Sequence, residues 1–218
     1  MAYRLIIFDW DGTLIDSEGH IVSCFQKAAC DLGLPPLTYA AVRNIIGLGL
    51  MESCAVLLPS LDEAGQLKLV DRYRYHYFQE STHDSSHLFP EVEKTLWRLH
   101  DNGYLLAIAT GKSRRGLNRA LREMNLEHFF HATRCADETT SKPDPRMVLE
   151  ILDELNFSPG QAVMIGDTEY DMEMAHNAAI ACIAVTYGAH ERERLLRWQP
   201  LACLDELSEL CALLASFE

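Results

Sequence analysis

Short apolar runs alternate with stretches of helical periodicity over much of the chain, and this pattern predicts its elements. Short runs that are apolar at consecutive positions are typical of strands buried on both faces of a parallel sheet. Four such runs cover residues 4–8, 104–109, 162–165 and 181–185, and a weaker one covers 131–135. Amphipathic segments separate the later runs, so the pattern predicts an α/β fold with a Rossmann-like parallel sheet and right-handed crossovers.

The stretch between the first two runs has a different pattern. Residues 16–86 show helical periodicity and no predicted strand, and the last of their helices is expected at about 62–80. We therefore expect two domains: an α/β core formed by residues 1–15 and 87–218, and an all-helical insertion formed by residues 16–86. An insertion at this point should lie over the carboxyl end of the first strand, where open sheets bind ligands.

Two carboxylates follow the first strand directly. Asp9 and Asp11 are two positions apart, and Gly12 and Thr13 form a turn after them. Because strand side chains alternate with period two, both carboxylates can lean toward one point. Two like charges at that distance repel each other unless a cation lies between them. The pair therefore marks a candidate active site, although an acidic turn without function would contain the same residues.

A second strand end and a lysine between prolines carry groups suited to phosphate. Thr110 and Gly111 follow the run 104–109, and a hydroxyl with free amides at a helix start suits a phosphate oxygen. A plain helix cap is the simpler interpretation of Thr110 alone. Lys142 lies in Ser-Lys-Pro-Asp-Pro, where the prolines restrict the backbone. Its ammonium could neutralise a phosphate and a carboxylate, and a solvated loop lysine is the alternative.

A second pair of acids follows the third strong apolar run. Asp167 and Asp171 are four positions apart, so the spacing predicts that both lie on one face of the first turn of a helix. A few hard oxygen ligands, completed by a substrate phosphate, are typical of a magnesium site. The acid pair, hydroxyl, ammonium and second acid pair together supply the groups that phosphoryl chemistry needs.

Charge and cysteine content narrow the function further. The chain of 218 residues has a net charge of −13, which disfavours nonspecific binding to nucleic acid and to anionic membranes. An anionic substrate must then be captured by local cations or a metal. The seven cysteines are odd in number and lack a Cys-x-x-Cys pattern, which favours reduced thiols and a cytoplasmic protein. No apolar segment has signal or membrane-spanning length.

Taken together, these motifs resemble those of the haloacid dehalogenase superfamily, and within it the helically capped phosphatases of the phosphoglycolate phosphatase type. Residues 9–14 are similar to the first motif of that family, Thr110 to the second and Lys142 to the third. Residues 166–168 with Asp171 are similar to the fourth. The resemblance covers essentially the whole chain and implies a hydrolase that acts on phosphoric monoesters.

The resemblance also implies roles for single residues. Asp9 would be the nucleophile that forms an aspartyl-phosphate, and Asp11 would protonate the leaving alcohol and then activate water. Mg2+ would be the cofactor, held by Asp9, the carbonyl of Asp11 and Asp167, with Asp171 supporting them. The residues expected to bind phosphate are Gly12, Thr110, Gly111 and Lys142.

The substrate implied by the resemblance is a small phosphorylated metabolite, selected by the helical insertion. Arg43 is the candidate substrate contact there, and a surface salt bridge is an equally good interpretation of it. Lys112, Arg114 and Arg115 follow the second motif, and we expect most of this cluster to be a solvated helix face, with one residue at most steering an anion.

Three other functions stay open at this point. A phosphomutase of the β-phosphoglucomutase type would use a hinge histidine, and the nearest candidate, His20, lies one position earlier than expected. A phospho-accepting receiver domain also uses acids, a threonine and a lysine, but in a chain of one small domain's length in which the acid pair and the phosphoacceptor lie on separate strands. An inactive binding module would keep the fold without the chemistry.

Overall fold

The computed structural model describes residues 3–79 and 87–217, and the α/β fold is present there. The strands are β1 Leu5–Phe8, β2 Ile15–Asp16, β3 His87–Leu88, β4 Leu105–Thr110, β5 Phe130–Cys135, β6 Ala162–Gly166, β7 Ala181–Val185 and β8 Cys203–Leu204. The helices are α1 Glu18–Asp31, α2 Tyr39–Arg43, α3 Leu50–Leu57, α4 Glu63–Gln79, α5 Val92–Asp101, α6 Arg114–Glu123, α7 Arg146–Leu155, α8 Glu169–Asn177, α9 Arg192–Leu196 and α10 Leu210–Ala215.

Six strands form one parallel sheet in the order β5-β4-β1-β6-β7-β8. Ile6 and Phe8 of β1 face one apolar cluster, and Leu5 and Ile7 face another on the opposite side. Helices α5, α6 and α10 contribute to the first cluster, and α7 and α8 contribute to the second. Because both faces of the sheet are covered, the strands are apolar at consecutive positions.

Helices α1 to α4 pack around an apolar cluster of their own. Phe25 of α1, Val42 of α2 and Leu69 of α4 are buried in it, and Ala189 is its contact from the α/β side. The rings of Phe25 and Tyr73 lie 4.3 Å apart between centroids. We call α1 to α4 the helical insertion. These helices therefore have a centre of packing distinct from the two clusters beside the sheet.

A short ribbon connects the helical insertion to the sheet. Ile15 of β2 pairs with Leu88 of β3, and Asp16 pairs with His87, in antiparallel register. The expectation of no strand within residues 16–86 is therefore wrong at Asp16, because strands of two residues are too short to show a period-two pattern. The predicted end of the insertion, residues 80–86, lies outside the described residues.

The structure adds boundaries and short elements after β6 that the sequence pattern does not specify. Helix α8 begins at Glu169, after its N-cap Thr168, whose side chain accepts a hydrogen bond from Asp171 N. The last helical segment is divided into a 3-10 turn, Leu207–Glu209, and α10. Strand β8 and helix α9 have no counterpart in the prediction. Across the described ranges, the helices are too short or too polar for any of them to traverse a bilayer.

Candidate active site

The register of the central strands brings three of the predicted residues to one edge of the sheet. Phe8, at the end of β1, is level with Ile108 of β4 and Ile165 of β6. The polar side chains that follow at this edge are Asp9, Thr110 and Asp167. All three are buried, with at most 1% of their surface exposed. Parallel pairing on both sides of β1 is therefore what assembles the site.

Lys142 reaches this edge from the loop before α7. Its Nζ lies 2.7 Å from Asp9 Oδ1 and 2.6 Å from Asp171 Oδ1. Burial alone would lower the pKa of this ammonium, but the carboxylates of Asp171 and Asp9 outweigh burial and raise the pKa. Lys142 is therefore a fixed, buried cation rather than a solvated loop lysine.

The surroundings of the Asp9 carboxylate disfavour its charged form. Burial raises its pKa well above the ordinary value, the negative charges of Asp171 and Asp167 raise it further, and Lys142 lowers it. The second oxygen, Oδ2, is buried and accepts no hydrogen bond from the residues that the structure describes. A buried carboxylate oxygen without a donor is costly unless a ligand or cation takes that position. Asp9 also lines a cavity, so a ligand can reach it.

Asp167 is held by two donors. Its Oδ1 accepts from Thr13 Oγ1 at 2.8 Å, and its Oδ2 accepts from the Ala189 amide at 2.7 Å. Burial and the charge of Asp171 nevertheless raise the pKa of Asp167 to about 7. Gly12 has a φ of +84°, and a Cβ there would lie 2.2 Å from Asp167 Oδ2. The Gly12 amide donates to Ile15 O at 2.9 Å, so Gly12 makes room for Asp167 and does not offer its amide to phosphate.

Asp171 has a supporting position. Its Oδ2 accepts from the backbone amide and the hydroxyl of Thr168 at 3.0 and 2.7 Å, while Oδ1 contacts Lys142. Thr168 is the N-cap of α8, and Asp167 precedes it. The prediction that Asp167 and Asp171 share one helix face is therefore wrong, since Asp167 lies before the helix. The two acids converge because the chain turns at Thr168.

The three acids form a cluster that could hold a metal ion. Asp9, Asp167 and Asp171 each offer a carboxylate oxygen, and these oxygens lie within 4.8 Å of one another. Burial and the clustering of negative charge raise the pKa of Asp9 and Asp167, and a divalent cation would act against both effects. A set made only of oxygen donors suits a hard cation. The donor chemistry and the unpaired Asp9 Oδ2 thus fit the implied magnesium ion.

The Asp11 carboxylate points away from this cluster. It lies 2.8 and 2.9 Å from Lys112 Nζ through its two oxygens, and it accepts a hydrogen bond from Ser17 Oγ at 2.7 Å. The side chain of Lys112 is only 7% exposed. Burial lowers the pKa of Lys112, but Asp11 and Tyr77 raise it more. Lys112 thus differs from the solvated helix face expected for most of its cluster, and its burial and its pairing with Asp11 are what sequence reasoning missed.

Lys112 also contacts the helical insertion. Its ammonium lies 4.9 Å from the ring centroid of Tyr77 on α4, a cation–π contact. The ring of His20, the mutase candidate, lies 4.7 Å from the same tyrosine. Tyr77 therefore connects the insertion to a lysine of the core, and through it to Asp11. The signal in the sequence is a lysine two positions after the strand-end threonine. This spacing alone does not distinguish a buried lysine from a solvated one.

Thr110 is not the cap of the following helix. Ser113 is the N-cap of α6, while Thr110 Oγ1 accepts from the Lys112 amide at 3.1 Å and lines the cavity. Its hydroxyl hydrogen is then available to a ligand. A Cβ at Gly111 would lie 2.4 Å from the Gly47 carbonyl oxygen, so the insertion backbone lies directly against this strand end.

Arg43 lies elsewhere in the contact between the insertion and the core. Its guanidinium donates to Glu18 at 3.1 Å, to Glu191 at 2.7 Å and to the Gly188 carbonyl at 3.0 Å. The neighbouring Asn44 carbonyl accepts from Tyr170 Oη at 2.8 Å. The structure does not bring Arg43 to the acids. It shows the salt-bridge interpretation instead, as part of the contact that docks the insertion.

A cavity joins the two halves of the site. Its empty volume is about 600 Å³, part of which is open to solvent. The core side is lined by Asp9, Asp11, Thr110, Gly111, Lys112, Ser113 and Gly116. The insertion side is lined by Ile21, Phe25, Ile45, Ile46, Gly47, Leu48, Leu50, Ser53, Tyr73, Arg74, Tyr77 and Phe78. A molecule in this cavity would touch Asp9 and the insertion together.

Comparisons with known proteins agree with this geometry. Residues 6–185 match the family described as haloacid dehalogenase-like hydrolase. A phosphoglycolate phosphatase of Vibrio cholerae is 31% identical over 218 residues, covering 96% of each chain. "Probable phosphatase IndB" of Dickeya dadantii is 34% identical, covering 94% of this chain and 91% of the relative. A haloacid dehalogenase-like family hydrolase from Streptococcus pneumoniae superposes with a TM-score of 0.85 at 28% identity, covering 99% of each chain.

A parallel sheet with clustered acids and a buried lysine at its carboxyl edge is the arrangement of a phosphoryl-transfer hydrolase. This chain belongs to the haloacid dehalogenase-like hydrolases. Within that family it is a phosphatase-type hydrolase, as the names of its relatives indicate. These comparisons favour an enzyme over a receiver domain or an inactive binding module.

Proposed function

We propose that this chain is a magnesium-dependent phosphatase that hydrolyses a small phosphorylated metabolite through a phosphoryl group carried on Asp9. The observation that supports this best is Asp9 Oδ2, a buried acceptor without a donor in the described part of the chain, on a residue that lines the cavity. Lys142, 2.7 Å from the other oxygen, holds the carboxylate in place and favours its charged form. A nucleophile that must attack an anion needs such neutralisation.

The reaction then proceeds in two displacements. In the first, Asp9 Oδ2 bonds to phosphorus while the P–O bond to the alcohol breaks, and Asp11 gives the leaving oxygen a proton. In the second, Asp11 takes a proton from water as the water oxygen bonds to phosphorus. The P–O bond to Asp9 breaks, and inorganic phosphate leaves. The Thr110 hydroxyl and the Gly111 amide are proposed to bind the phosphoryl oxygens.

Magnesium is proposed at the acid cluster. Asp9, Asp167 and the Asp11 carbonyl would hold it, and Asp171 would support them through Lys142 and Thr168. When bound, the ion supplies positive charge beside the phosphate and the acids. Without it, four buried carboxylates face the two ammoniums of Lys112 and Lys142. That imbalance supports a cation requirement.

The helical insertion is proposed to act as a cap, with residues 16–86 as one domain and residues 1–15 and 87–218 as the other. The Arg43 and Asn44 contacts and the close approach of Gly47 to Gly111 support a cap that closes on the strand ends. A closed cap would exclude bulk water from the phosphoryl group.

All seven cysteines are free thiols, which supports a reducing, cytoplasmic location.

A phosphate-release screen tests this function. Small phosphorylated metabolites, with phosphoglycolate first because of the names of the relatives, are incubated with wild type and with Asp9→Asn, with magnesium or with a chelator. We expect release only from wild type with magnesium. Asp153→Asn, at an exposed aspartate of α7, serves as the matched control. Turnover by Asp9→Asn equal to wild type would reject the nucleophile, and turnover in chelator would reject the metal requirement.

A further inference from the structure

The two sides of the cavity differ in chemistry. The core side carries Asp9, Asp11, Thr110 and Lys112, whereas the insertion side is formed mainly by apolar and aromatic side chains. Phe25, Ile45 and Tyr73 are among them, and all three are buried in the cluster of the insertion. A phosphoryl group placed at Asp9 must therefore direct the rest of its ester toward an apolar wall.

Positive charge is scarce on that wall. Arg74 is the single charged side chain of the insertion that lines the cavity among the described residues. Its side chain is 44% exposed, and it also borders two neighbouring surface cavities, so it lies at the mouth. On the core side, Lys112 is already paired with Asp11. No other cation of the described cavity lining is available to a second anionic group at depth.

A carboxylate on the leaving group would therefore be poorly placed. It would lose its hydration against Phe25 and Ile45, and it would approach the negative charge of Asp11. An apolar group at the same place is removed from water and packs against the apolar side chains of the insertion, which is favourable. The composition of the wall thus discriminates against a second anion and favours hydrocarbon.

We infer that the substrate is a phosphomonoester whose leaving alcohol carries an uncharged, apolar body that packs against Phe25, Ile45 and Tyr73. This inference rests on the proposed function, since it places the phosphoryl group at Asp9. It narrows the substrate class, and it makes a compact carboxylated ester such as phosphoglycolate a poor substrate.

The test compares benzyl phosphate with phosphoglycolate in the presence of magnesium. Both esters release a primary alcohol, so the comparison avoids the more reactive bond of aryl phosphates. We expect kcat/KM for benzyl phosphate to exceed that for phosphoglycolate by at least about tenfold. A binding readout uses Asp9→Asn, whose melting temperature benzyl phosphate should raise more than phosphoglycolate does at equal concentration. A preference for phosphoglycolate, or equal values, in these comparisons overturns the inference.

A charge placed in the wall gives a second test. Leu48 is half-buried and lines the cavity from a loop, so Leu48→Lys adds a cation there, and Leu48→Met is the matched uncharged control. We expect Leu48→Lys to shift the ratio of the two kcat/KM values toward phosphoglycolate by about tenfold or more, and Leu48→Met to leave it within about twofold. An unchanged ratio in a folded Leu48→Lys protein counts against the inference. If Leu48→Lys does not fold, the wild-type comparison decides.

Failure of the proposed function would give a different result from failure of this inference. In that case wild type with magnesium releases phosphate from neither ester, whatever the binding preference of Asp9→Asn. If phosphoglycolate is hydrolysed and benzyl phosphate is not, the function stands and the inference falls.

Discussion

Lys112 and Asp11 form an ion pair in which the ammonium contacts both carboxylate oxygens, at 2.8 and 2.9 Å. The ring of Tyr77 covers the same ammonium from the helical insertion. In this arrangement Asp11 is held beside the cavity but away from the acid cluster. We propose that phosphoryl oxygens draw Lys112 away from Asp11, which frees the Asp11 carboxylate to take up a proton and pass it to the leaving oxygen. The pair would then link substrate arrival to the acid–base step.

Lys112→Met tests this link. Removing one partner of a buried ion pair leaves an uncompensated charge, so we expect a loss of about 3 kcal/mol of stability. We also expect kcat to fall by more than about tenfold, because Asp11 is no longer positioned.

The exposed Lys94, which pairs with Glu91, supplies the control variant Lys94→Met. In the double variant Asp11→Asn, Lys112→Met, stability should recover while activity stays low. Turnover of Lys112→Met at the wild-type rate would show that the pair has no part in the reaction.

Lys142→Ala removes the ammonium shared by Asp9 and Asp171. Three buried acids then lack their compensating charge, so we expect turnover to fall by more than about tenfold. Steady-state phosphate release checks this, with Lys68→Ala on the exposed face of α4 as the control. An unchanged rate would mean that the ion contacts of Lys142 serve folding alone.

Gly111→Ala tests whether the insertion must lie against the strand ends. The added Cβ would lie 2.4 Å from the Gly47 carbonyl oxygen and 2.5 Å from that of Leu48, and backbone atoms cannot rotate away. We expect kcat/KM to fall by about tenfold while the melting temperature stays near wild type. At Gly160 a Cβ meets open space, so Gly160→Ala is the control. Full activity in Gly111→Ala would contradict a closed insertion as the working form.

The raised pKa of Asp167 predicts a pH dependence in the metal-free protein. Its pKa is about 7 in the fold against 3.8 ordinarily, so the folded state binds this proton more tightly than the unfolded chain does. The stability contributed by this carboxyl is fully present below about pH 4 and is lost as pH rises toward 7. We expect Asp167→Asn to flatten this decline in thermal melts, and Asp153→Asn to leave it unchanged.

Magnesium should act in the opposite direction, since it competes with the same proton. Its stabilising effect on the melting temperature should therefore be larger at about pH 8 than at about pH 5.5. An effect of equal size at both pH values would place the ion away from Asp167.

Much of this site could be predicted because Asp9, Thr110 and Asp167 each follow an apolar strand closely in the sequence. The apolar run of β1 and the rule that parallel strands deliver ligands at their carboxyl ends were enough to place Asp9, Thr110 and Asp167 together. Lys112 could not be predicted in the same way, since its burial depends on Tyr77 from a distant helix. Arg43 is the converse case: it pairs with Glu191, 148 positions away, and no local pattern indicates that partner. The two-residue strands β2 and β3 carry too few positions for periodicity.

The central claim is that Asp9 attacks phosphorus and carries the phosphoryl group before water removes it. The stereochemical course at phosphorus tests this most directly, measured with wild-type enzyme on a phosphorothioate monoester of known configuration, hydrolysed in isotope-labelled water so that the released thiophosphate is chiral through its three oxygen isotopes. Each in-line displacement inverts the phosphorus centre, so the two-step route predicts net retention. Net inversion would show direct attack by water and would contradict the account.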